Sequence, residues 1–140
     1  MMKLFLFLVP SFLFYSCASR PLPSVCPDAS VTVTIPKSEA NKIHGHVSQF
    51  LTDAKITQLK NEDGTESSVW RFTNMPEDSI YYLIGLREGD AIYKTNLGPQ
   101  TNSINLISDL SGIPSGTTNC LYVRSKDSSE HVIKIVVEKR

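Results

Sequence analysis

At 140 residues, with 41% hydrophobic and 20% charged, the chain has the composition of one small globular domain plus an appendage. Fourteen basic side chains balance fourteen acidic ones, so bulk charge makes no case for nucleic acid as a partner. Four of the six phenylalanines (Phe5, Phe7, Phe12 and Phe14) crowd the N-terminus, so a core must draw on aliphatics, tyrosines, Phe50, Phe72 and Trp70.

Residues 1–16 read as a secretory signal. Lys3 gives a positive start, and Leu4 to Tyr15 is apolar except for Ser11 and an interrupting Pro10. That run is shorter than the roughly twenty residues a membrane-spanning helix needs. The following Leu13-Phe14-Tyr15-Ser16-Cys17 resembles the lipobox of bacterial lipoproteins. The resemblance implies lipidation at Cys17, which then becomes the mature N-terminus. Ordinary cleavage after a small residue, with a free product, is the alternative. Residues 17–29, carrying Pro21, Pro23 and Pro27, have the composition of a tether. Cys26 and Cys120 remain. An exported compartment lets them pair across a long loop, or they stand as two unpaired thiols.

Residues 30–53 form a strand and an amphipathic lead-in helix. Val31, Val33 and Ile35 alternate with Thr32 and Thr34 as in a strand, and Pro36 ends it. From Ser38, a plausible N-cap, Ala40, Ile43, Val47, Phe50, Leu51 and Ala54 fall at helical spacing. Residues 54–140 then form the main domain. Ala54 to Leu59 and Ser67 to Thr73 read as strands joined at Asn61-Glu62-Asp63-Gly64, where Asp-Gly supplies the left-handed hairpin positions. Ser79 caps a short helix, Gly85-Leu86 and Gly89-Asp90 turn the chain, and Ala91 to Thr95 is a strand. Ser103 caps a second short helix with Ile104, Leu106, Ile107 and Leu110 on its apolar face, ended by Gly112 and Pro114. Thr118 to Ser125 and His131 to Glu138 are the last two strands. The expected fold class is α+β: a small, mostly antiparallel sheet or partial barrel flanked by two short helices.

The order from Ser79 to Asn96, helix, Gly-Leu step, Gly-Asp turn and strand, resembles the signature of PDZ domains. The wider stretch from Val33 to Lys139 resembles the periplasmic end of the C component of type II secretion systems. Thr34-Ile35-Pro36-Lys37-Ser38 with its helix, Phe50 to Ile56, Val69-Trp70-Arg71-Phe72, and Pro76-Glu77-Asp78-Ser79 carry this resemblance. There is almost no room for that family's region that meets the outer-membrane secretin, so secretin docking is not carried over. The resemblance implies a PDZ-like module of the cell envelope, lipid-anchored and facing the periplasm. Its partner is a protein or peptide of a secretion or envelope complex, taken up as an added strand. It places the groove between an edge strand, Val69 to Phe72, and the helix Ile104 to Leu110. Val69, Arg71, Ile104, Ile107 and Ser108 are the expected groove wall, while Trp70, Leu106 and Leu110 are expected in the core. Docking through the helix 38–54 and service as a protease adaptor are the alternatives.

No catalytic constellation emerges. There is no G-x-S-x-G elbow, Ser115 sits in a Pro-Ser-Gly turn, and Asp90 reads as a brace for its turn. His44-Gly45-His46 lacks the four-residue spacing of a helical metal site. No cofactor, metal or nucleic acid is expected.

Overall fold

The computed structural model describes residues 26–45 and 48–139. The signal segment 1–16, the lipidation candidate Cys17, most of the tether, His46 and Val47 lie outside the described residues. In chain order the elements are β1 (Val31–Ile35), α1 (Lys37–Gly45), α2 (Gln49–Thr52), β2 (Lys55–Lys60) and β3 (Glu66–Thr73). They continue with α3 (Ile80–Leu83), β4 (Ala91–Thr95), α4 (Ser103–Ser111), β5 (Cys120–Arg124) and β6 (Glu130–Val137). The fold is α+β, with one mixed six-stranded sheet in the order β1-β6-β5-β4-β3-β2. All neighbours run antiparallel except β1, which lies parallel to β6. Among the described residues no helix is long and apolar enough to cross a membrane.

Strand side chains alternate between two faces, and among the described residues helices cover only one face. Ile35, Phe72, Ile92, Leu121, Val123 and Ile133 point to the same side and are buried there. Ala40 and Ile43 of α1, Phe50 of α2, Tyr81 of α3 and Leu106 and Leu110 of α4 pack onto them in one core. The strand and helix of residues 30–53 thus share their core with residues 54–140.

Local chemistry explains most element ends. Gly64 adopts φ +85°, and Asn61 donates its backbone N–H to Thr65 at 2.7 Å, closing the β2–β3 hairpin. Ser79 caps α3 by accepting from the Tyr82 N–H. Gly85 sits at φ +99°, and a Cβ there would lie 2.8 Å from Val33 Cγ2. Glycine therefore lets the turn after α3 press against β1.

Two serines expected as caps lie inside their helices. Helix α1 starts at Lys37, where the Pro36 carbonyl accepts from Glu39 and Ala40, so Ser38 lies inside the first turn. At α4 the side chain of Asn102, not Ser103, accepts the Ile104 N–H at 2.7 Å. In both cases a residue before the serine is already placed to accept, so the serine joins the helix. The helix expected over 38–54 is represented by α1 and α2, and Leu51 within it is 65% exposed instead of buried.

The turn between α3 and β4 holds two carboxylates of opposite character. Glu88 accepts from the backbone N–H groups of Met75 and Asn74 at 2.9 and 2.8 Å, which hold its pKa below the ordinary value of 4.5. Asp90 braces the turn by accepting the Arg87 N–H at 2.9 Å, yet its burial pushes its pKa above 3.8. The signs differ accordingly. Glu88 contributes stability that is present above pH 4.5 and lost as the pH falls through its depressed value. Asp90 contributes stability at low pH that is lost as the pH rises past 3.8 through its raised value. Melting curves across the acid range should therefore show less rise with pH in E88Q and a steeper rise in D90N; the reverse pattern would contradict the assignment.

Candidate functional site

A sheet with free edges offers unpaired backbone groups to another chain. Among the described residues the edges are β1 and β2. Strand β3, expected at an edge, is interior: it pairs with β2 through Gln58–Trp70 and with β4 through Trp70–Ile92. The open strand beside the helical layer is β2.

Which β2 groups face outward follows from β3. Phe72 donates its N–H to Asp90 and accepts from Gly89, both at 2.9 Å on the β4 side. Its partner Ile56 therefore cannot exchange ladder bonds with it. In an antiparallel pair the two bonding modes alternate. Ile56 and, two residues on, Gln58 thus turn N–H and C=O to the free edge, while Lys55 and Thr57 face β3.

Beside this edge lies a groove of about 310 Å³. Leu51, Ala54 and Ile56 line one side, Trp70 joins them, and Ser103, Leu106 and Ile107 of α4 line the other, with Lys55 also on the rim. Side-chain bonds fix its width. Gln58 Nε2 donates to the Ser67 carbonyl at 2.8 Å and to the Thr101 carbonyl, just before α4, at 3.0 Å. The Trp70 indole N–H donates to the Gln100 carbonyl at 2.7 Å. Asp109 of α4 accepts from Thr95 and Gln100 at 3.1 and 2.9 Å, tying the helix to β4. The site is thus a prebuilt apolar trough next to a row of unpaired backbone donors and acceptors.

Of the residues expected in a groove wall, Ile107 lines this trough and is also buried in the core. Ile104 lies three residues before Ile107 on α4, 75% exposed and outside the lining, and Ser108 is exposed outside it too. Val69 and Arg71 are not part of it. They alternate with Trp70 and Phe72 and so point to the uncovered face of the sheet. Leu51, Ala54 and Ile56 were not among the expected wall residues, and Trp70 and Leu106 were expected in the core alone. The alternation Ala54, Ile56, Gln58 is the one sequence signal that marks this side of β2.

Cys26 and Cys120 are joined by a disulfide, with Cα atoms 5.4 Å apart. A larger hollow, about 800 Å³, lies between α1, α2 and α3, where Glu39, Asp53, Glu77 and Asp78 face Lys42. No strand residue is part of its lining among the described residues. No protein-family model matches the chain, and no curated protein matches it either.

Proposed function

We propose that the protein is a PDZ-like interaction module of the bacterial envelope. It is lipid-anchored at Cys17, faces the periplasm, and is part of or accessory to a type II secretion system. It binds an extended peptide or partner strand along β2, with the ligand's side chains in the trough against α4. The observation that carries this reading is the free edge of Ile56 and Gln58 opening beside an apolar trough. An added strand gains affinity from main-chain bonds to such an edge and selectivity from side-chain pockets beside it. The Cys26–Cys120 disulfide supports the exported location, because such bonds persist in oxidising compartments. Docking through the helix 38–54 has less support, since Ile43 and Phe50 are already consumed by the protein's own core.

The test is panning of a displayed library of random extended peptides, followed by measured binding of the selected sequences. Leu51 lines the trough yet is 65% exposed, so L51R leaves the core untouched. It removes apolar contact of about 1.5–3 kcal/mol and places a charge in the trough. L51R should weaken peptide binding at least about tenfold with an unchanged melting temperature. Failure to select any peptide, or indifference of a selected peptide to L51R, would sink the reading.

A further inference from the structure

The face of the sheet away from the helices carries a charge pattern that the zero net charge of the chain conceals. Cross-strand partners share a face, so the register places Arg71, Ala91, Arg124 and Glu130 in one row across β3, β4, β5 and β6. The neighbouring rows set Lys94 opposite Tyr122, and Cys120 opposite Lys134. An irregularity between Ile92 and Lys94 turns Tyr93 to the same side. Tyr93 and Tyr122 lie 6.0 Å apart between ring centres, Lys94 Nζ sits 4.2 Å over Tyr122, and Arg124 sits 5.6 Å from Tyr93. Glu130 is the one carboxylate in these rows, and Arg124 holds it at 3.1 Å. Exposed Val136, on the same side of β6, adds apolar surface. The result is a broad cationic and tyrosine-bearing face with no helix over it among the described residues.

The chain enters the fold at this same face. Cys120 alternates with the core residues Leu121 and Val123 and so points outward, where it bonds Cys26. Any tether preceding residue 26 therefore leaves from the row of Lys134. Residues 17–25 extend at most about 30 Å at roughly 3.3–3.6 Å per residue. A lipid on Cys17 would keep a bilayer within that distance of the cationic face.

We propose that this face docks on an anionic lipid surface, the bilayer that carries the tether. Arg71, Lys94, Arg124 and Lys134 meet headgroup phosphates, and the two tyrosines occupy the interface, where amphipathic rings concentrate. The tether part of the proposal rests on the lipid-anchor reading above. Each cation near such a surface strengthens attachment about fivefold, and salt screens the effect.

The test uses the full chain purified from membranes, with its N-terminus identified by mass spectrometry. It is reconstituted into phosphatidylcholine vesicles with and without phosphatidylglycerol, and lysines are labelled with an amine reagent. Lys94 and Lys134 should react at least about fivefold more slowly when phosphatidylglycerol is present. Lys42, on the helical layer, should keep its rate, and high salt should restore the other two. Equal rates in both vesicles would overturn the proposal. So would protection that appears only in native, protein-containing membranes, which would make an acidic protein the occupant. A chain without lipid on Cys17 would overturn the anchor reading instead. The unlipidated full chain then tests the face by sedimentation with phosphatidylglycerol vesicles, where K94E/K134E should bind at least about twenty-fold more weakly. No sedimentation, or no loss in the variant, would count against the face.

Discussion

Replacing Cys26 and Cys120 with serine should lower the free energy of unfolding by about 4–5 kcal/mol. The bond closes a sequence separation of 94 residues, and the loop-entropy model assigns roughly 4.7 kcal/mol to a loop of that length. The loss is large against the 5–15 kcal/mol that holds a typical domain together. The cross-link also has a local task. Cys26 occupies φ +76°, a left-handed conformation that costs an L-residue about 1–2 kcal/mol. Beyond Cys26, Ser30 donates its N–H to Val132 at 3.0 Å, and β1 then runs along the edge of the sheet beside β6. Pinning residue 26 onto β5 holds the start of this edge strand in register. Urea unfolding with and without reductant checks the point, and reduced wild-type protein should match the double variant. A loss below about 1 kcal/mol would show that packing alone holds β1.

How much of this was legible in the sequence depends on the range of the interactions. The hairpin at Asp63-Gly64, the Ser79 cap and the strand Ala91–Thr95 are set within a few residues, and each lies where the pattern puts it. Leu106 and Leu110 follow from helical spacing, and both are buried. What failed was long-range. Val69 to Phe72 alternates in the same way whether the strand is an edge or interior, so sequence could not show that β4 and β2 flank it. Misplacing the edge put Val69 and Arg71 in the wall and left out Ile56, which lies on the neighbouring strand. The cationic face was hidden for a related reason: Arg71, Lys94, Arg124 and Lys134 come from four strands, and only the sheet's register brings them together. Ile104 shows the limit of apolar patterning, because an isoleucine at a plausible inward position stands 75% exposed.

Phe72→Ala should cost about 3–5 kcal/mol, the range for truncating a fully buried aromatic. Phe72 has no exposed surface and packs against Tyr81 at 4.9 Å between ring centres, while Phe50 meets Tyr81 edge-on at 5.6 Å. The three rings join β3, α3 and α2, and the Tyr81 hydroxyl donates to the Phe50 carbonyl, closing the group. Burial holds that phenol neutral by driving its pKa far above the usual value. Removing the Phe72 ring leaves a cavity where three elements meet. Phe72→Leu, which keeps most of the volume, should cost about 1.5 kcal/mol or less. Denaturant unfolding of both variants checks the ranking, and an alanine cost under about 1 kcal/mol would mean that the core lies elsewhere. Phe72 does not line the trough, although its backbone dictates which groups Ile56 presents at the edge. Phe72→Ala should therefore lose stability yet keep peptide affinity wherever it is still folded, whereas L51R should lose affinity at full stability. Opposite outcomes in those two variants separate the core that builds the trough from the surface that fills it.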